Sequence, residues 1–205
     1  MTSLAPEGPP FVHDQPTSLS LLQRARDRNQ QAWEQLHVLY GPLVGAWCQS
    51  WGLRGAEIDD VRQEVFKSMV ASLATFRRDR PGDSFRGWLW MIARRKFLDH
   101  CRRRAQQPDA AGGSAAYQQL LEVSEAAEMP AEEAPEDVSR LHHRALELIR
   151  CQFEERTWQA FWRCAVEEQS PADVAADMGM TPAGVRKAKS RVLHRLKEEL
   201  GELLR

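Results

Sequence analysis

Apolar residues recur at helical spacing through the first part of the chain, at Leu22, Ala25, Ala32, Trp33, Leu36, Leu39, Tyr40, Leu43, Val44 and Trp47. The spacing predicts helix here, with Gly41-Pro42 placed to kink or split it. Gly52 and Gly55 flank a turn. A second helix is expected over about Asp59–Ala74, with Ile58, Val61, Val65, Met69 and Leu73 on one face and Phe66 and Val70 widening the stripe. Arg77–Ser84 holds Pro81 and Gly82 and reads as a loop. A third helix is expected over about Phe85–Arg104, where Leu89, Ala93, Phe97 and Cys101 stand one turn apart beside Trp88 and Ile92. Helical patterning resumes at Asp137, and Leu141–Glu155 and Thr157–Val166 read as two further helices. Their Leu146, Ile149, Phe153, Trp158, Phe161 and Trp162 are expected in a core; stacking on nucleic acid is the alternative, but helical spacing already accounts for them. No alternating strand pattern and no internal repeat appears, so the expected fold class is all-α.

Between the two patterned stretches the composition changes. Gln106–Pro135 carries Pro108, Gly112, Gly113, Pro130 and Pro135, with six acids and no Lys or Arg. The expected organisation is a Pro-rich disordered tail over 1–16, a helical domain over 17–105, an acidic flexible linker over 106–136 and a second helical domain over 137–205. A short helix is expected within the linker near Tyr117–Val123.

Charge alters the picture only locally. The 205 residues hold 28 Lys+Arg and 29 Asp+Glu, a net charge of −1, which excludes a uniformly basic nucleic-acid coat but not basic patches. No run approaches the roughly 18 apolar residues of a membrane span, and Met1–Pro16 lacks the features of a secretory signal, so a cytoplasmic protein is expected. Cys48, Cys101, Cys151 and Cys164 form no C-x-x-C pair and read as free, partly buried thiols. His100-Cys101 supplies half of a metal site at most, so no metal and no cofactor is expected.

Ser170–Leu200 carries the sharpest local signal. Ser170-Pro171-Ala172-Asp173 is a helix start, Gly179 ends that helix, and Thr181-Pro182-Ala183 starts another after a tight turn. Small Ala175 allows close approach of the two helices and Val185 fills their crossing. This is the spacing of a helix-turn-helix. The second helix bears Arg186, Lys187, Lys189, Arg191, Arg195 and Lys197, with no acid before Glu198, and adds Ser190 and His194 as hydrogen-bonding groups. A solvated basic face would show the same charges. The paired start signals and Gly179 favour a recognition helix in a major groove, its cations on phosphates and Arg186 or Lys187 within reach of a guanine edge.

A second basic patch lies in the first half. Arg77–Arg104 contains ten basic residues against three acids, a net of +7, with Trp88 and Trp90 among them. Cations interleaved with aromatic rings suit melted or single-stranded nucleic acid. Asp59, Asp60, Gln63 and Glu64 beside Val65 and Phe66 put an acidic and apolar stripe on the preceding helix, which periodicity alone does not distinguish from a plain amphipathic face.

Asp60-Val61-Arg62-Gln63-Glu64-Val65-Phe66 resembles the core-binding helix, region 2.2, of bacterial sigma factors. Phe85–Arg94, with Asp99 and Arg102-Arg103-Arg104, resembles regions 2.3 and 2.4, and Asp173–Leu200 is similar to region 4.2. Two such segments without a region 3 resemble the extracytoplasmic-function (ECF, group 4) sigma factors of the sigma-70 superfamily. The resemblance implies a promoter-specificity subunit that binds core RNA polymerase, recognises −10 and −35 elements and assists DNA melting. It implies that Asp60, Gln63, Glu64, Val65 and Phe66 dock on core polymerase. It assigns Arg77, Arg78, Arg86, Trp88, Arg94, Arg95, Lys96, Asp99, Arg102 and Arg103 to melted −10 DNA, with the loop Phe76–Ser84 receiving a flipped base. It assigns Thr181, Arg186, Lys187, Lys189, Ser190, Arg191 and His194 to duplex −35 DNA. An anti-sigma factor is a candidate partner on the same ground.

Two other classes compete. A stand-alone helix-turn-helix regulator would bind duplex DNA tightly without polymerase, and it leaves the +7 aromatic segment unexplained. An enzyme would need a Gly-rich phosphate loop, a metal-ligand cluster or a nucleophile with its base, and the sequence offers none, so the chain is not expected to be an enzyme.

Overall fold

The computed structural model describes residues 20–77, 79, 83–105, 135–201 and 203. The expected tail, most of the expected linker with its short helix, and Arg78 lie outside the described residues. Among the described residues there are eight α-helices, one 3-10 turn and no strand: α1 (Leu21–Arg26), α2 (Gln30–Ser50), α3 (Ala56–Ser72), the 3-10 turn Leu73–Thr75, α4 (Phe85–Ala105), α5 (Pro135–Arg150), α6 (Glu155–Ala165), α7 (Pro171–Met178) and α8 (Pro182–Leu200). The fold is all-α.

The first helical stretch divides earlier than Gly41-Pro42 suggests. α1 starts on Ser20, whose Oγ accepts from the Gln23 N–H, and it ends at Asp27. Arg28 then takes a positive φ of 61°, and the Asn29 side chain caps α2 by accepting from the Ala32 N–H at 2.9 Å. Pro42 sits inside an unbroken α2. The carbonyl it leaves without a helical donor belongs to Val38, which is 53% exposed, so water can satisfy it and the helix continues. The turn between α2 and α3 uses Gly52 and Gly55, both at positive φ.

One apolar cluster organises the molecule. Leu36, Leu39, Tyr40, Leu43 and Val44 of α2 meet Val61, Val65 and Met69 of α3 and Phe85, Leu89, Ala93 and Phe97 of α4. The same cluster runs on through Leu141, Ala145 and Ile149 of α5 and Trp158 and Phe161 of α6 to Val192 and Leu200 of α8 and Leu203 beyond it. Leu146, Ile149, Trp158 and Phe161 are buried as their spacing predicts, with Phe153 and Trp162 packed against the cluster. A smaller core of Ala160, Cys164, Val174, Ala175, Val185 and Ala188 locks α6, α7 and α8 together. Cys48, Cys101 and Cys164 are buried, whereas Cys151 is exposed, because it falls in the turn just after α5 rather than on its inner face. No helix among the described residues is long and apolar enough to cross a membrane.

Candidate docking and nucleic-acid interfaces

α3 presents the acidic and apolar stripe. Val61, Val65 and Met69 turn inward, while Asp60 and Gln63 are exposed and Glu64 and Phe66 are half-buried. Val65 was expected in the docking set, but it is fully buried; one residue before Phe66, it points about 100° away around the helix and holds the stripe from behind. Phe66 leans on the His37 ring of α2, with centroids 4.6 Å apart. Together α2 and α3 form a groove of about 650 Å³ lined by Trp33, His37, Asp60, Arg62, Gln63, Phe66 and Val70. Trp33, expected only as an apolar helix position, and His37 join the groove; their spacing of four on α2 puts them on one face. Glu64 pairs with Lys67 at 2.9 Å. That hydrogen bond and charge, helped by Lys96 and Arg103, hold the Glu64 carboxyl below its ordinary range.

α4 carries the basic and aromatic set. Ser84 starts it, its Oγ accepting from the Gly87 N–H at 3.0 Å. Phe85, Leu89, Trp90, Ala93 and Phe97 face inward. Trp88 is half-buried against Phe76 and Phe85, with centroids 5.1 and 5.4 Å away. Phe76 and Trp88 line a cavity of about 510 Å³ together with Arg77, Asp79, Asp83, Ser84 and the exposed Met91. Arg26 of α1 anchors the loop by donating to the Phe76 carbonyl at 3.2 Å. Arg95, Arg102 and Arg103 are exposed, and Arg86, Arg94, Lys96 and Asp99 are half-buried. Arg94 lies over the Trp90 ring at 5.6 Å, and Asp99 pairs with Arg102 at 3.7 Å.

α7 and α8 form the helix-turn-helix. The Ser170 Oγ accepts from the Asp173 N–H, Gly179 adopts left-handed φ 58°, ψ 43°, and the Thr181 Oγ1 accepts from the Gly184 N–H at 3.0 Å. Arg156 of α6 closes the first helix, donating to the Met178 and Gly179 carbonyls at 2.8 and 2.9 Å, a role sequence spacing did not reveal. Val185 and Ala175 meet in the small core. Thr181, Arg186, Lys187, Ser190, Arg191 and His194 are exposed along α8. Lys189 is half-buried, its Nζ donating to the Cys164 carbonyl at 3.3 Å, so its charge lies on the side facing α6. Arg195 likewise turns inward, to Gln152 and Glu199.

The sigma-70 region 2 family model matches residues 36–107, which hold α3, α4 and α2 from Leu36 onward. The RNA polymerase sigma factor CnrH of Cupriavidus metallidurans is 35% identical over 88 residues, covering 42% of this chain and 44% of CnrH. The RNA polymerase sigma factor CarQ of Myxococcus xanthus is 28% identical over 182 residues, covering 89% of this chain and 97% of CarQ. Residues 36–107 thus carry a sigma-70 region 2, and the chain is similar to ECF-type sigma factors of the sigma-70 family. The aromatic helix lies within the region 2 match, and so does the α2–α3 groove apart from Trp33 and Glu34. The helix-turn-helix lies beyond that match.

Proposed function

We propose that the chain is a promoter-specificity subunit that binds core RNA polymerase and directs transcription initiation. The observation that carries this reading is the presence, on one chain, of a sigma-70 region 2 and a capped helix-turn-helix with an outward basic face. CnrH and CarQ are both RNA polymerase sigma factors, which supports the same reading.

In this mechanism the α2–α3 groove receives an apolar projection of the polymerase, while Asp60, Gln63 and Glu64 meet its basic and polar rim. α4 holds the non-duplex strand of the −10 element: Arg77, Arg86, Arg94, Arg95, Lys96, Arg102 and Arg103 meet phosphates, and Trp88 offers a face on which a base stacks. Arg78 belongs to this set by sequence, and Asp99 orients Arg102. A base flipped from the duplex enters the cavity over Phe76 and Trp88, which offsets the cost of unstacking it. α8 enters the major groove of the −35 element with Arg186 and Lys187 at base edges and Thr181, Ser190, Arg191 and His194 along the backbone. The chain supplies binding energy and no reaction chemistry. An anti-sigma factor is a further candidate partner.

The test compares complex formation on duplex and forked promoter DNA, with and without core polymerase. Stable, salt-resistant complexes are expected only with core polymerase present. Tight sequence-specific duplex binding by the chain alone, unaffected by core enzyme, would favour a stand-alone regulator instead.

A further inference from the structure

The cavity assigned to the flipped base is tied at one end to a residue from outside it. Phe76 stands where the 3-10 turn ends and the loop begins, with an extended backbone at φ −62°, ψ 123°. Its ring is 4% exposed and meets Phe85 edge-on at 5.5 Å and Trp88 at 5.1 Å. Its carbonyl accepts two guanidinium bonds. Arg77 donates one at 3.1 Å and also donates to the Ala74 carbonyl at 2.7 Å, so it ties the loop to its own turn. Arg26 donates the other at 3.2 Å from α1, 50 positions away in sequence. α1 is a firm base for it, because Leu21, Leu22 and Ala25 are buried and Ser20 caps the helix.

Arg26 lies outside the acidic docking stripe and outside the basic aromatic segment, and packing alone does not account for it. The side chain is half-buried, and its Nε is buried without a hydrogen-bond partner among the described residues. An orphaned guanidinium nitrogen costs stability, so a side chain serving only to fill that place would be apolar. What the arginine adds is the bond to the Phe76 carbonyl.

We propose that Arg26 is a positioning residue for the flipped base: through the Phe76 carbonyl it holds the Phe76 ring beside Trp88, so that the base enters a cavity already formed. The inference rests on the flipped-base reading above. The base then stacks on rings whose places are set before it arrives, and its binding does not have to order the loop. Without Arg26 the loop keeps the Arg77 bonds and the bond from the Asp79 N–H to Asp83 at 3.1 Å, but these join the loop to itself and its own turn. Phe76 gains freedom, and part of the stacking free energy goes into ordering it again. The Arg26 guanidinium is engaged by a carbonyl, so it acts through Phe76 and not on the strand.

The experiment uses the full chain with core polymerase and forked promoter DNA. An abasic nucleotide replaces each base of the unpaired −10 strand in turn, and the position at which the wild type loses most affinity marks the flipped base. Arg26→Met removes the donors and keeps most of the bulk. It should weaken binding of the unmodified fork by about three- to tenfold, the scale of ordering one side chain. On the fork that is abasic at the marked position, the variant and the wild type should bind alike. Arg26→Lys, which keeps the charge and a donor, should recover part of the loss. Should Arg26→Met lower helix content, Arg26→Gln, shorter and uncharged, takes its place under the same outcomes. Equal losses on the unmodified and abasic forks would overturn the proposal, because a phosphate contact or a general loss of structure acts whether or not the base is present; a reduced salt dependence would identify the phosphate contact. A wild type with no abasic-sensitive position would instead strike the flipped-base reading itself, and the role of Arg26 with it.

Discussion

Phe66 and Glu64 show how single residues divide between core and surface. Phe66 is half-buried against His37 and half available to a partner, and Glu64 is held ionised beside Lys67. Replacing both by Ala should weaken co-purification with core polymerase without changing the affinity of the helix-turn-helix for duplex DNA. Wild-type co-purification by the double variant would remove α3 from the docking surface. On α8, Arg186→Ala should cost about 1–3 kcal/mol at one base position, while Arg191→Ala should weaken all sequences alike and reduce the salt dependence. Binding measured across single-base variants of the −35 site separates these outcomes. The cysteines give a third test. Burial pushes the Cys48 thiol up to about 12, and burial with the Glu57 charge pushes Cys101 up to about 11. Both thiols stay protonated in the folded state, so their contribution to stability is complete below the ordinary thiol range and fades as pH rises through it toward those values. Alkylation at pH about 8 should modify exposed Cys151 and spare Cys48 and Cys101 until the chain unfolds; prompt modification of either would show that its burial is not maintained in solution.

At the scale of helices, stability rests on how each one starts and stops. Gly179 ends α7 at φ 58°, a conformation that costs other residues about 1–2 kcal/mol. Gly179→Ala should therefore lower the melting temperature by several degrees, and Thr181→Ala, which removes the cap of α8, should cost about 1 kcal/mol. Thermal unfolding followed by circular dichroism checks both, and an unchanged midpoint in each would show that Arg156 alone holds the turn. These caps were legible because their residues act within four positions of sequence. The break at Arg28 was not: Asn29 is a cap signal, but the apolar spacing continues across it and draws attention to Gly41-Pro42. Periodicity placed Val65 on the inner face of α3, yet the family motif listed it with its exposed neighbours; burial decides for the periodicity. Lys189 reads as one cation among six in sequence, and only the approach of α6 turns it to the Cys164 carbonyl. Arg156 and Gly179 lie too far apart for any local pattern to join them.

Over the whole molecule, the net charge of −1 hides a basic aromatic helix and a basic second helix of the helix-turn-helix on separate halves. Each face is weak evidence alone; together in one chain with a region 2 match they support our proposal of a subunit that reads two DNA sites and melts one. Sequence patterns showed the helices and both basic faces. They did not show that α1 and α2 pack against α5 and α8, because that contact joins residues such as Tyr40 and Leu203 that no short-range spacing relates. The central claim is that this chain makes core polymerase promoter-specific. Run-off transcription tests it most directly, with core polymerase and genomic promoter templates, with and without the chain. The account predicts discrete start sites that appear only when the chain is added and vanish with the Glu64→Ala/Phe66→Ala variant; transcripts identical with and without the chain on every template would contradict it.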